Sequence, residues 1–291
     1  MERNYHVFYQ LLSCRDEIDP SLGLSDKRAA DFHYLSQGGE DSMHIKGVND
    51  GEEFKATRNA LALVGIGPEK QEEIWRVLAA LLHLGNITIS SLQGSAVCAD
   101  NIAFAKATEL LGVDPHQFRQ WLIKKRLVTR RDVIQTSLNA TQAVVVRDSV
   151  AKFIYARLFD WILRPINESL LPTSAAQEAS SFIGVLDIYG FEYSENNSFE
   201  QFCINFANEK LQQHFNHHVF RIEQQEYARE QLKDWTFIDF KDNQPCIDLI
   251  EGKPISILSL LDEESRLESA TDRSFIDKLY HQFNREPPTT T

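Results

Sequence analysis

The sequence has few cysteines, no long apolar run and no excess of positive charge. Its four cysteines lie far apart and form no Cys-x-x-Cys pair, which argues against a zinc site or a disulfide framework and favours a reducing cytosol. No apolar run is long enough to cross a bilayer, and the first residues lack the apolar stretch of a signal peptide. The formal net charge of -12 argues against broad binding of nucleic acid or anionic membrane, because either needs a basic face. A soluble cytoplasmic protein is therefore expected.

Apolar side chains make up 43% of the 291 residues, which is enough for one large domain or two smaller ones. The clearest linker is the polar stretch 172–180, PTSAAQEAS. It separates a first, helical region, 1–171, from a second region, 181–286. The last residues, 287–291, are expected to be disordered.

Helical spacing of apolar residues predicts that most of the first region is helical. Residues 3–12 form a helical pattern without a cap, as if the chain began inside a longer structure. The polar stretch 14–54 predicts short helices joined by loops. Gly85 is expected to end a helix in the left-handed conformation. Further helices are expected at 54–64, 69–84, 101–111 and 115–125.

Two β segments and one long helix complete the first region. Ile87 and Ile89 alternate as in a short strand, and the basic segment 127–138 is rich in β-forming residues. A long helix should start near Ala140 and kink or stop near Pro165. Its apolar face is predicted to carry Ala151, Ile154, Leu158 and Ile162.

The second region opens with a short apolar run, 182–186, whose length and composition are typical of a buried strand. Asp187 follows at the carboxyl end of this run, and Gly190 comes three residues later. A helix with Asn197 as its candidate cap is then expected over 198–232. A helix of that length predicts a connection between distant parts of a larger assembly.

A strand that ends in Asp and is followed three residues later by Gly is the arrangement with which nucleotide hydrolases sense a terminal phosphate. The carboxylate of Asp187 would hold a Mg²⁺-bound water, and the amide of Gly190 would approach the phosphate because no side chain intervenes. Loss of the phosphate would release the turn. Taken alone, Asp-x-x-Gly is a weak motif, and a plain strand-to-helix turn is the more frequent explanation.

The surrounding sequence is far more specific. Residues 186–192 (LDIYGFE), 197–202 (NSFEQF) and 208–213 (NEKLQQ) closely resemble switch II and the relay helix of myosins. The resemblance covers nearly the whole chain. Residues 2–6 (ERNYH) are similar to the helix after switch I, and residues 83–87 (HLGNI) are similar to another recognisable segment of the myosin head. Residues 235–240 (WTFIDF) are similar to the relay loop, and residues 260–264 (LLDEE), with Thr271 and Asp272, are similar to the start of the actin-binding helix-loop-helix.

This resemblance implies a predominantly helical α/β fragment of a P-loop NTPase-type motor head, with region 1–171 in the upper and region 181–286 in the lower actin-binding subdomain. It implies ATP and Mg²⁺ as ligands. Asp187 would contact the metal through water, Gly190 would contact the γ-phosphate, and Glu192 would pair with a switch I arginine outside this chain. The implied relay residues are Phe199, Phe206 and Trp235.

No Gly-x-x-x-x-Gly-Lys-Ser/Thr motif occurs in the chain. That phosphate-binding loop supplies the backbone amides and the metal ligand that account for most nucleotide affinity. We therefore expect the 291-residue chain to have no ATPase activity by itself.

Two segments are candidate actin contacts. The first is the loop with Arg130, Arg131 and Asp132, which resembles the myosin cardiomyopathy loop. Asp132 lies sixteen residues before Asp148. That spacing places Asp132 at the position where the family carries an acidic or phosphorylatable residue. An Asp at this position supplies its negative charge without a kinase. An ordinary solvated loop remains the alternative.

The second candidate actin contact is the connection 265–271. Glu268 stands where similar sequences have proline, which makes the loop more flexible. Its residues are Ser265, Arg266, Leu267, Glu268, Ser269, Ala270 and Thr271.

Two functions are consistent with these observations. One is a part of an ATP-driven, actin-based motor of the cytoplasmic actin cytoskeleton, in which light chains and cargo bind only to segments outside this chain. The other is a non-enzymatic actin-binding or regulatory remnant. The sequence carries no signal for myosin class, direction of movement, duty ratio or oligomeric state.

Overall fold

The chain folds as two compact units, Met1–Ser180 and Ser181–Thr291. The computed structural model describes residues 3–128, 133–170, 183–195, 197–232, 234–267 and 270–283. The predicted linker 172–180 and the tail 287–291 lie outside these residues. Among the described helices, none has the length and apolar character needed to cross a membrane.

The first unit is mainly helical, as predicted. Short 3-10 turns at Pro20–Leu22, Ala29–Asp31 and Glu40–Ser42 occupy the polar stretch between its first long elements. The other elements are α1 His6–Ser13, α2 His33–Ser36, α3 Asp50–Leu63, α4 Pro68–Gly85, β1 Ile89–Leu92, β2 Ser95–Cys98, α5 Ile102–Leu111, α6 Pro115–Ile123, β3 Lys124–Val128, β4 Val133–Ser137 and α7 Ala140–Leu170.

Helix α4 forms the centre of the core of the first unit. Pro68 starts the helix, where its missing N–H has no intrahelical partner to lose. From Ile74 onward most of its side chains are buried, and Trp75 packs against Phe54 of α3 with ring centroids 4.9 Å apart. Full burial of one large apolar side chain contributes roughly 1.5–3 kcal/mol, so this helix is the main source of stability in the unit.

Gly85 does not adopt the left-handed conformation that the sequence predicted. It is the last residue of α4, and Asn86 caps the helix with a φ of -87°. The Asn86 side chain donates to Asp31 O at 2.7 Å and accepts from His33 N at 2.8 Å. A Cβ on Gly85 would lie 2.8 Å from the ring of Tyr34. Glycine is therefore required for the close approach of this ring and not for a turn.

Both predicted β segments contribute to antiparallel hairpins, although Ile87, predicted as part of the first strand, lies before β1 and is not in a strand. Strand β1 pairs with β2 from Ile89↔Cys98 to Leu92↔Ser95. The two turn residues, Gln93 and Gly94, have φ values of 49° and 81°, as a two-residue hairpin turn requires. Strand β3 pairs with β4, and the tip of that hairpin, 129–132, lies outside the described residues.

Helix α7 continues through Pro165 to Leu170, so the expected end at the proline is not observed. Proline removes the N–H that would bond the carbonyl of Trp161. Trp161 is exposed, which allows water to satisfy that carbonyl. The predicted apolar face is confirmed, because Ala151 is buried in the core and three partly buried side chains pack against it: Ile154, Leu158 and Ile162.

The second unit is built around one long helical run over residues 199–229. Its elements are α8 Phe199–Asn216, a π-helical turn His217–Ile222, α9 Glu223–Arg229, α10 Gln244–Glu251, α11 Ile257–Ser265 and α12 Asp272–Phe283. The cap of α8 is Ser198, whose Oγ accepts from Gln201 N at 3.2 Å, and not Asn197. The run ends at Arg229, before the predicted end at 232, and Gln231 has a left-handed φ of 54°.

The predicted buried strand over 182–186 is wrong for the described residues, 183–186. They form no strand, and Ile183 and Val185 are 100% and 96% exposed. A buried strand needs neighbouring strands for its backbone amides and carbonyls. Within the described part of the second unit no strand lies beside it. The composition of the run remains typical of a strand, and the described residues of this unit supply no partner strand for it.

Candidate functional site

The residues 187–192, called here the sensor turn, are held by two asparagines of α8. Asn205 Oδ1 accepts the N–H of Glu192 at 2.7 Å, and Asn205 Nδ2 donates to Glu192 O at 2.8 Å. Asn208 Nδ2 donates to Tyr189 O at 2.7 Å and to Ile204 O at 2.9 Å. Residues three apart on a helix share one face, so both carboxamides reach the same turn.

The three predicted nucleotide-contact residues, Asp187, Gly190 and Glu192, lie together on this turn. No heavy atom lies within 4 Å of the position that a Cβ on Gly190 would occupy. In the described part of the chain neither carboxylate forms an ion pair. The turn therefore presents an open glycine between two free carboxylates.

The sensor turn does not form a metal site by itself. Mg²⁺ needs six oxygen ligands in near-octahedral geometry. Within the described residues no group of three or more His, Cys, Asp or Glu side chains could hold a metal ion. The described residues around Asp187 and Gly190 thus do not provide a complete Mg²⁺ site.

The long helical run carries the predicted relay residues. The rings of Phe199 and Phe202 stack with centroids 6.3 Å apart, and Lys210 Nζ lies 5.7 Å from the ring centroid of Phe206. At the other end Trp235 packs edge-on against Tyr227 of α9, with centroids 4.7 Å apart. The sensor turn therefore contacts the α8 end of the helical run, and Trp235 contacts its α9 end.

A π-helical turn interrupts the run between these ends, at His217–Ile222. Such turns are rare and occur frequently at functional sites. The buried side chain of Gln224 accepts the N–H of Ile238 at 2.6 Å and donates to Ile238 O at 3.1 Å. The ring of Phe220 stacks on Phe240 with centroids 5.3 Å apart. These contacts fasten the segment after Trp235 to the helical run.

The second predicted actin contact connects α11 to α12. Arg266 pairs with Asp262 at 2.6 Å, and Leu267 is exposed. Thr271 Oγ1 accepts from Ser274 N at 3.1 Å and so caps α12. Ala270 is half-buried, while Glu268 and Ser269 lie outside the described residues.

The first predicted actin contact, Arg130, Arg131 and Asp132, lies outside the described residues. The strands that carry it are described, and Lys125 and Arg126 on β3 are exposed cations. Asp148, the sequence landmark for this loop, has a structural role, because it accepts from Tyr34 Oη at 2.7 Å and from Arg147 Nε at 2.8 Å.

Sequence reasoning missed the polar side chains that position these elements. They are Asn205, Asn208 and Gln224 on the helical run, and Glu264 of α11 with Lys278 of α12, whose side chains meet at 2.5 Å. The asparagines carried a usable signal, since two carboxamides spaced i, i+3 on a helix can reach one turn. Gln224 and Glu264 carried none, because nothing in a sequence separates a buried polar side chain from the exposed ones around it.

Comparison with known proteins agrees with the resemblance seen in the sequence. Residues 1–290 match the family model described as "Myosin head (motor domain)". The chain is 53% identical over 292 residues to "Myosin-2" of Lachancea kluyveri, covering 100% of this chain and 18% of that protein. It is 52% identical over 290 residues to "Myosin-4" of Saccharomyces cerevisiae, covering 98% and 19%. With "Myosin-52" of Schizosaccharomyces pombe it shares 49% over 287 residues, again covering 98% and 19%. The chain thus spans about a fifth of the length of these relatives.

Proposed function

This chain belongs to the myosin head (motor domain) family, and on that premise we propose that it couples nucleotide state to actin binding in an ATP-driven motor. The motor would work in the cytoplasm on the actin cytoskeleton. The observation that carries the proposal is the pair of asparagine contacts between the sensor turn and α8. They join the predicted nucleotide contacts to a helical run of 31 residues, 199–229.

In this proposal the sensor turn forms one wall of a site for ATP and Mg²⁺. Asp187 would hold a metal-bound water, the amide of Gly190 would contact the γ-phosphate, and Glu192 would pair with an arginine outside this chain. The open space at Gly190 and the unpaired carboxylates support these roles.

Movement of the turn would pass to α8 through Asn205 and Asn208. Helices can carry coupling as rigid elements, so a displacement of α8 would reach the far end of the run across the π-helical turn. There the ring contact with Tyr227 would carry the movement to Trp235. Phe199 and Phe206 would act as packing residues along this path.

The actin filament would be contacted at two places. One is the hairpin loop with Arg130, Arg131 and Asp132, flanked by the exposed cations Lys125 and Arg126. The other is the connection 265–271 between α11 and α12. Its exposed Leu267 and Arg266 suit a contact with an apolar centre and a charged rim.

The first test is phosphate release by the purified 291-residue chain at saturating Mg²⁺–ATP. We expect none above the blank, because the chain has no Gly-x-x-x-x-Gly-Lys-Ser/Thr motif. Release well above the blank that disappears in a Gly190→Ala variant would contradict this expectation.

The second test is co-sedimentation with actin filaments, with and without ATP, after circular dichroism has verified folding. Asp132→Lys is compared with Glu72→Lys, which makes the same charge change at an exposed position on α4. Binding that is unchanged by ATP, and that is weakened by Asp132→Lys and not by Glu72→Lys, would support actin binding by this chain. Failure of the folded wild-type chain to bind would overturn the actin part of the proposal.

A further inference from the structure

A buried carboxylate links α11 to α12 next to the connection between them. Glu264, in the last turn of α11, is 6% exposed. Lys278 Nζ of α12 lies 2.5 Å from its Oε2, and Ser274 Oγ lies 2.5 Å from its Oε1. Both carboxylate oxygens are therefore held by α12. We call Glu264, Ser274 and Lys278 the base clamp.

Ser274 links the base clamp to the connection itself. Its Oγ accepts the N–H of Thr271 at 3.0 Å, while Thr271 Oγ1 accepts the N–H of Ser274 at 3.1 Å. This reciprocal pair is a capping box that starts α12. On the other side, Leu267 N donates to Glu264 O at 3.0 Å. Both ends of the connection are thus bonded to members of the clamp.

The clamp residues are poorly placed to contact a partner directly. Glu264 is buried, and the Lys278 side chain is 30% exposed with its ammonium group on two carboxylates, those of Glu263 and Glu264. In contrast, the Arg266 side chain is 74% exposed. A partner at the connection would therefore meet Arg266 and not Glu264.

We propose that the base clamp is a set of positioning residues that holds the two described ends of the α11–α12 connection, 265–267 and 270–271, in place for contact with the actin filament. This inference rests on the proposed function of the connection. The clamp acts by ordering these ends before binding, because a preordered segment loses less conformational entropy when it binds. The hydrogen bonds from Lys278 and Ser274 also lower the pKa of Glu264, as expected for a carboxylate held in its charged form.

The test variant is Glu264→Gln, which keeps the size of the side chain and removes its charge. The matched control is Glu263→Gln, because Glu263 is mostly exposed and its contact with Lys278 is longer, 3.3 Å. We expect Glu264→Gln to weaken actin binding about tenfold, and the control by less than about twofold, because removing the charge of a carboxylate that is 6% exposed and held through both oxygens costs more than removing a mostly exposed charge. Equal affinities for Glu264→Gln and the wild type would overturn the proposal.

Salt dependence separates positioning from direct contact. A charge that contacts the filament changes the slope of affinity against ionic strength, whereas a buried positioning residue leaves the slope unchanged. Arg266→Gln should therefore flatten the slope, and Glu264→Gln should keep the wild-type slope at lower affinity. A slope change in Glu264→Gln as large as that in Arg266→Gln would make Glu264 a contact residue and overturn the proposal.

Hydrogen exchange of the free chain tests the clamp independently of actin. The amides of Leu267, Ala270 and Thr271 are bonded in the connection and should exchange faster in Glu264→Gln and in the milder Ser274→Ala variant. Unchanged exchange in both variants would show that no clamp exists. If exchange rises but the wild-type chain does not bind actin, the proposed function fails, and the actin role of the clamp fails with it.

Discussion

Asn205 holds Glu192 by both backbone groups, accepting its N–H at 2.7 Å and donating to its carbonyl at 2.8 Å. One side chain thus replaces the two bonds that a neighbouring strand would form. This explains how a turn that follows a strand-like run without a partner strand is kept on the helix. The attachment depends on one carboxamide, which makes it open to a direct test.

We predict that Asn205→Leu frees the sensor turn. Each lost hydrogen bond should cost about 0.5–1.5 kcal/mol, and the N–H of Glu192 should exchange several-fold faster. Asn205→Asp is the matched control, since its carboxylate still accepts that N–H and should retain most of the protection. Hydrogen exchange measured by mass spectrometry over residues 187–195 checks both. Equal exchange in Asn205→Leu and the wild type would contradict the contact.

Gly85→Ala should destabilise the first unit by about 1–3 kcal/mol, because the added methyl group overpacks a closed site. Its Cβ would lie 2.8 Å from the Tyr34 ring. That ring cannot easily withdraw, since the Tyr34 hydroxyl donates to Asp148 at 2.7 Å. Gly67→Ala is the control, because no heavy atom lies within 4 Å of its added Cβ. Urea unfolding followed by tryptophan fluorescence measures the difference, and similar midpoints for the two variants would refute it.

His83 should make the first unit less stable in mild acid. Burial lowers the pKa of His83 below its ordinary value of 6.5, and its Nε2 lies 2.9 Å from Leu22 O. The unfolded chain therefore binds the proton more readily than the folded chain does. Stability should not depend on this group well above pH 6.5, and it should fall as pH drops below 6.5.

Urea titrations at pH 7.5 and pH 5.5, conditions chosen to bracket the ordinary histidine pKa of about 6.5, test this effect. His83→Gln, which can still donate to Leu22 O, should lose part of the wild-type difference between the two conditions. His33→Gln, at an exposed position on α2, should keep all of it. If His83→Gln keeps the full wild-type difference, the buried imidazole is not its source.

Much of the helical architecture could be predicted from the sequence, because it depends on residues close together in the chain. The core face of α7 follows from helical spacing, and the helices predicted at 101–111 and 115–125 are found at Ile102–Leu111 and Pro115–Ile123, the second ending two residues early where β3 begins. The family could also be predicted from the sequence, since the motifs from LDIYGFE to NEKLQQ follow one another in one continuous stretch. The match of residues 1–290 to the family model confirms this resemblance. The roles of Asp187, Gly190 and Glu192 remain predictions from that resemblance.

The errors share a different physical cause. The run 182–186 has the composition of a buried strand, but its described residues have no partner strand, so strand-forming residues remain exposed. Gly85 was read as a turn residue, although the nearby ring of Tyr34, 51 residues away in sequence, is what requires it.

Local spacing and motifs were therefore enough to predict most helices, the apolar face of α7 and the family. Tertiary contacts were needed to find the polar side chains that hold the segments proposed to be functional, namely Asn205 and Asn208 on the sensor turn and Glu264 at the base of the α11–α12 connection. A polar residue gains such a role only when folding brings a donor or acceptor from another segment within about 3 Å.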